Sequence, residues 1–269
     1  MAISKAMRAA LKALSYPEPD IRKTYKLERE LTNLTSIRLT HPNLYKVWDH
    51  KVPCGSHEIP IRIFSPSEKV ENRPVLVFLH GGGWVTGNID SYTGVCADMA
   101  HLTGCVVASV DYRLAPEHRF PQGLEDCYAA VREVFRECGQ FHVREEDIVV
   151  IGDSAGGNLT AAVSLLAKER KEFALRRQIL IYPALGNDHS ESSPFPSVRE
   201  NGTGYLLTSK RVCEYLELYR SGPEDLQNPF YAPLLAKDLT GQPKTLIITA
   251  EYCPLRDEGE AYGQRLREA

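Results

Sequence analysis

Apolar residues fall along this chain in short unbroken runs set between longer stretches of mixed character. Residues 75–79, 105–110, 148–151, 178–183 and 244–250 are such runs, with little alternation between apolar and polar positions. That pattern predicts strands buried on both faces, the environment of a parallel sheet. Between them, Tyr92 to Thr103, Leu124 to Cys138, the stretch from Asn158 onward, Thr208 to Arg220 and Arg256 to Ala269 read as helices. Residues 51–66 differ: Ile59, Ile61 and Ile63 alternate with other positions, and Gly55-Ser56 offers a turn, which predicts a β-hairpin. Ahead of the hairpin, Ile3 to Ser15 and Asp20 to Asn33 read as helices, and residues 186–203, rich in Asn, Ser, Pro, Glu and Gly, read as an insertion. Strands alternating with helices imply a mostly parallel sheet covered on both faces.

The run Ile148 to Ile151 leads into Gly152-Asp153-Ser154-Ala155-Gly156 and then a helix. Strand, G-x-S-x-G, helix is the context of a nucleophile elbow, which turns too sharply for residues bearing Cβ at the flanking positions and lifts the serine hydroxyl to the top of the sheet. Upstream, the run Val75 to Leu79 ends in His80-Gly81-Gly82-Gly83-Trp84. Consecutive glycines after a strand leave amide N–H groups unshielded, which suits an anion or oxyanion. Each motif alone is weak evidence; the two together point to acyl chemistry.

Composition narrows the picture. Lys and Arg number 32 against 35 Asp and Glu, so no single-sign field argues for nucleic acid or an anionic membrane. No apolar run is long enough to span a bilayer, and the first residues lack the core of a secretory signal. The seven cysteines, an odd number without a C-x-x-C pair, argue against a disulfide framework and a zinc site and for a reducing cytoplasm.

The two glycine motifs, together with Asp111-Tyr112-Arg113-Leu114-Ala115-Pro116-Glu117, resemble the hormone-sensitive-lipase-type carboxylesterases of the α/β-hydrolase superfamily. The resemblance implies one α/β-hydrolase domain over 1–269, with a helical cap from about 1–45 and 186–220 on a core of about 46–185 and 221–269. It implies Ser154 as nucleophile, the amides of Gly82, Gly83 and Ala155 as oxyanion hole, small short-chain esters as substrates, and no cofactor or metal. Trp84, Tyr182 and Tyr205 become pocket liners by analogy.

Two departures bear on the chemistry. Cys253 stands where the family carries its catalytic Asp, and a thiol is no stable anionic orienter unless its pKa is strongly depressed. Glu251, Asp257 and Glu258 read as surface carboxylates beside it. The family's histidine follows the acid, whereas of His41, His50, His57, His80, His101, His118, His142 and His189 only His189 lies beyond Ser154, where it reads as a solvated loop residue; His80 and His118 read as loop braces. Expected is therefore an esterase scaffold with an incomplete triad and without the fold's final strand and helix, which leaves residues 245–250 as a bare sheet edge for a second copy or a rearranged segment to cover. The alternative is a small-ligand-binding protein on the same scaffold, since plant gibberellin receptors resemble the family and lack its histidine.

Overall fold

A computed structural model describes residues 3–16, 18–35, 45–66, 73–139 and 143–269. Five parallel strands form its centre: β3 (Val75–Leu79), β4 (Val106–Val110), β5 (Ile148–Asp153), β6 (Arg177–Ile181) and β7 (Lys244–Ile248). The hairpin β1 (Tyr45–Cys54) and β2 (His57–Pro66) joins antiparallel to β4, giving the order β1-β2-β4-β3-β5-β6-β7.

The unbroken apolar runs of β3, β4 and β5 are explained by burial on both faces. Along β3, Val75, Val77 and Leu79 face one cluster while Leu76 and Phe78 face the other; Ile148 and Val150 of β5 divide from Val149 and Ile151 in the same way. The first cluster packs against α4 (Gln122–Arg136) and α5 (Ala155–Arg170), the second against α3 (Ile89–Thr103). Helix α3 opens on a reciprocal cap between Asn88 and Ser91 and ends on Gly104 in the left-handed conformation. The last helix, α8 (Arg256–Glu268), buries Tyr262 in a smaller cluster with Leu165 of α5 and Leu180 of β6.

The hairpin reaches further back than its alternation suggests, because β1 is exposed from Lys46 to Lys51 and carries no apolar face to read there. Helix α5 starts at Ala155 rather than Asn158, since Gly156 and Gly157, poor helix formers by propensity, are required by packing. Ahead of the sheet lie α1 (Lys5–Leu14) and α2 (Ile21–Thr35). Helix α2 docks on α7 (Ser209–Tyr219), which follows the short α6 (Pro196–Glu200). The Ile21 amide donates to Glu214 at 3.0 Å and Arg211 to Glu28 at 2.7 Å. Arg29 also donates to the carbonyls of Val85 (2.6 Å) and Ala115 (2.7 Å), tying α2 to two loops at the top of the sheet.

Strand β7 pairs with β6 alone among the described residues, and its Leu246 and Ile248 are 53% and 45% exposed. No described segment rearranges to cover this edge. Ile148, fully buried on the interior strand β5, and Leu246 therefore test the middle and the edge of the sheet. Ile148→Ala is expected to cost about 2–5 kcal/mol in urea unfolding, and Leu246→Ala less than about 0.5 kcal/mol at concentrations where the chain is monomeric. A loss at Leu246 matching that at Ile148 would mean that the edge is covered in solution.

Candidate active site

The site is built where three strand ends meet. Strand β5 delivers Ser154 at φ 53°, ψ −115°, outside the regions open to ordinary L-residues, a conformation of order 1–3 kcal/mol that persists only where its surroundings dictate it. They do so from both sides: the Ser154 amide donates to the Ile181 carbonyl of β6 at 2.8 Å, and its own carbonyl accepts from Asn158 (3.0 Å) and Ala184 (3.2 Å). A Cβ on Gly156 would land on the Leu79 carbonyl oxygen, so only glycine lets α5 begin this close to the end of β3. Asn158, fully buried, spends its amide on the carbonyls of Ala184 (2.8 Å) and Tyr231 (2.9 Å), fixing the loop after β6 beside the elbow.

Gly82, Gly83 and Ala155 are half-buried or buried positions whose amides donate to no protein group among the described residues. Gly82 (φ 114°) and Gly83 (φ 61°) turn the loop after β3, and the Gly82 carbonyl accepts from the amides of Val85 (3.1 Å) and Thr86 (2.9 Å). The ring of Tyr215, from α7, lies where a Cβ on Gly83 would sit, so α7 roofs the loop. Free amides beside a helix N-terminus form a site for developing negative charge.

Asp153, which sequence reasoning passed over as motif filler, holds the two halves together. Its Oδ1 accepts the Gly81 amide at 2.8 Å and its Oδ2 the Tyr92 hydroxyl at 3.0 Å. Desolvation pushes its pKa up to about 6 despite these bonds. His80 beside it is fully buried, stacked on Tyr112 at 4.3 Å, and pushed down to about 4 by the same cause, so it stays neutral.

Cys253 sits in the turn after β7, its carbonyl accepting from Asn201 at 3.2 Å. Burial, with the negative charge of Glu258, raises its thiol pKa. A neutral thiol cannot orient an imidazolium. Two readings of neighbouring residues are overturned. Glu258 is no surface carboxylate but 1% exposed, accepting the amides of Leu185 (2.7 Å) and Gly186 (3.2 Å). His189 is not solvated: its side chain is buried with Nε2 3.0 Å from Glu258 Oε2, because the insertion folds back over α8 instead of looping into water. Glu251 is exposed, and Asp257 caps α6 through the Ser197 amide at 2.7 Å. Tyr205 stacks on Tyr252 at 5.3 Å, while Trp84 is 3% exposed against Tyr219 and belongs to the core.

Among the described residues no side chain hydrogen-bonds to the Ser154 hydroxyl. His50 and His101 are exposed, His57 pairs with Asp126, His118 with Gln122, and His41 and His142 lie outside the described residues. A cavity of about 510 Å³ between the hairpin and α4, lined by Trp48, Ile61 and Val106, lies at the far end of the sheet from Ser154.

A family model described as an alpha/beta hydrolase fold matches residues 76–269. The chain belongs to the hormone-sensitive-lipase-type carboxylesterases of the α/β-hydrolase superfamily. It is 38% identical over 222 residues to an arylesterase of Saccharolobus solfataricus, covering 82% of this chain and 71% of that one. Carboxylesterase NlhH of Mycobacterium tuberculosis is likewise 38% identical, over 80% of this chain and 67% of the relative. Among solved structures, a hyperthermophilic esterase from Pyrobaculum calidifontis superposes with a TM-score of 0.85 at 36% identity, covering 100% of this chain and 86% of that one. No helix among the described residues is long and apolar enough to cross a membrane, and all seven cysteines are unpaired.

The raised pKa of Asp153 carries a pH signature. The folded state holds its proton up to about pH 6, whereas the unfolded chain releases it near 3.8, so folding binds a proton between those values and stability falls as pH rises through them. The full effect of this group is about 3 kcal/mol, at 1.36 kcal/mol per pKa unit. Urea unfolding of the protein and of Asp153→Asn should show the parent losing stability relative to the variant between pH 4 and 6.5. A difference that stays flat would contradict the assignment.

Proposed function

We propose that this chain attacks small carboxylic esters through Ser154, with the amides of Gly82, Gly83 and Ala155 holding the carbonyl oxygen as it becomes an oxyanion. The observation that carries this reading is the elbow itself: a hydroxyl on a strained turn whose neighbour Asp153 holds the glycine loop through the Gly81 amide, with the amides of Gly82, Gly83 and Ala155 left free of protein acceptors among the described residues. Strain and unpaired donors are both unfavourable without a ligand, and a substrate acyl group uses both. The relatives named as arylesterase and carboxylesterase support the reaction class. We read α1, α2 and the 186–220 segment as a cap over the acyl pocket, which the docking of α2 on α7 and of Tyr215 on Gly83 supports.

The proposed chemistry is impaired in this chain. Oγ must lose its proton as it bonds to the acyl carbon, and no described imidazole is hydrogen-bonded to receive it. The thiol of Cys253 supplies no charge in place of an acid. In an analogous serine hydrolase, losing the base lowers turnover by on the order of 10⁶, while the oxyanion hole and binding retain about 10³–10⁴ over water. The expected behaviour is slow acylation of Ser154 by activated esters and slower release. That no described imidazole is hydrogen-bonded to Ser154 also supports a second reading, in which the pocket binds a small carbonyl ligand without turning it over.

A fluorophosphonate probe separates the two. Labelling that disappears in Ser154→Ala supports the esterase reading, and free imidazole should then raise p-nitrophenyl acetate hydrolysis about tenfold or more, a part of the 10²–10⁴ that a positioned base supplies. Ligand binding with no labelling would leave the binding reading. We further propose a reducing cytoplasmic setting, in line with seven free cysteines, and association of copies through the β7 edge, in line with its unpaired outer side. Light scattering that gives a monomer at micromolar concentration would remove the latter.

A further inference from the structure

The tip of the β1–β2 hairpin and helix α4 bring together three side chains that the proposed ester chemistry does not use. Cys54 and His57 face each other across the turn Gly55-Ser56, as the last register pair of the hairpin. Opposed residues of an antiparallel pair project to the same face of the sheet, here toward α4. There Asp126 waits with a side chain only 1% exposed. One donor atom from each of Cys54, His57 and Asp126 falls within 4.8 Å of the other two. We propose that these residues form a zinc-binding site, with Cys54 Sγ, His57 Nε2 and Asp126 Oδ1 as ligands and a fourth position open to water.

The donor set fits that ion. Zn²⁺ takes thiolate, imidazole and carboxylate together, and three protein ligands with one open position is among its regular arrangements. Soft sulfur disfavours Mg²⁺ and Ca²⁺. The carboxylate is already oriented: Oδ2 accepts the Arg113 amide (3.0 Å) and Nε (2.8 Å), and Oδ1 accepts Arg113 Nη2 (2.9 Å). Arg113 thus acts as the outer partner that fixes a ligating carboxylate. Oδ1 also points at His57 Nε2, 2.8 Å away. Tetrahedral bonds of about 2.0–2.1 Å place two such ligand atoms about 3.3 Å apart. The His57–Asp126 pair therefore opens by a few tenths of an ångström as the metal replaces the shared proton. His57 and Cys54 are half-buried on a hairpin tip, which leaves room for that shift.

The proton balance follows. His57 Nε2 binds the metal without a proton, and the Cys54 thiol loses its proton to solvent as sulfur bonds the metal. Burial and the nearby Asp126 charge raise the free thiol's pKa, so at neutral pH it enters the reaction protonated. Metal binding therefore releases at least the thiol proton, and affinity rises with pH.

Cobalt(II) titrated into the intact protein tests this, because a thiolate ligand gives an intense near-ultraviolet charge-transfer band that histidine and carboxylate ligands do not. The expected result is a band that saturates at one equivalent, is displaced by zinc, and is lost in Cys54→Ser. His57→Gln should weaken cobalt binding at least tenfold, and zinc should raise the melting temperature of the parent but not of Cys54→Ser. Asp126 is left alone, since its loss would strand Arg113. The absence of the band, its persistence in Cys54→Ser, or cobalt binding without it would each overturn the proposal. The fluorophosphonate readout at Ser154 is independent of all three.

Discussion

The close approach of α5 to the end of β3 is the constraint on which the rest of this molecule depends. Gly152 and Gly156 face each other and the Leu79 carbonyl at a spacing that no side chain could share. That contact sets where α5 begins, and α5 in turn fills the larger core cluster with Ala155, Leu159, Ala162 and Val163. Packing of this kind is worth many kcal/mol in sum, which is ample to hold one residue at an unfavourable φ of order 1–3 kcal/mol. Ser154 is strained because its neighbours are not, and the strain raises its hydroxyl above the sheet.

What was legible in the sequence follows the same logic. Runs such as Val75–Leu79 and Ile148–Ile151 revealed central strands, because burial on both faces leaves no polar position to confuse the pattern. Gly81-Gly82-Gly83 and Gly152-x-Ser154-x-Gly156 were legible because only glycine meets those backbone demands. Strand β1 was half missed, since Val47 and Trp48 point outward and carry no periodic signal. Residues whose role depends on a distant partner were illegible. Asp153 looks like motif filler until Gly81 is seen to donate to it, and Glu258 and His189 look like surface groups until the insertion folds over them.

Six buried or half-buried acids share one task. Asp153 receives the Gly81 amide, Asp126 that of Arg113, Asp111 that of Ile89, Glu214 that of Ile21, Asp225 that of Ser221, and Glu258 those of Leu185 and Gly186. Each amide belongs to a loop or helix start that would otherwise leave a donor unpaired, and each carboxylate would be costly to desolvate alone. Together they hang the loops around the elbow from the core at fixed points. Carboxylates that suggest acid–base chemistry in a sequence serve here as anchors for backbone.

That division explains how the scaffold can keep its form independently of the group that accepts the serine proton. The anchors, the glycine contact and the two-sided sheet stabilise the fold with no described imidazole hydrogen-bonded to Ser154, so the proposed loss of a base would remove rate and leave structure unchanged. The reverse does not hold. Removing Asp153 or Gly156 would disturb the loop and the elbow together, because the proposed oxyanion donors are backbone groups and have no existence apart from the fold that aims them. In this chain the stabilisation of charge is inseparable from folding, whereas the transfer of the proton is carried by side chains that the fold can do without.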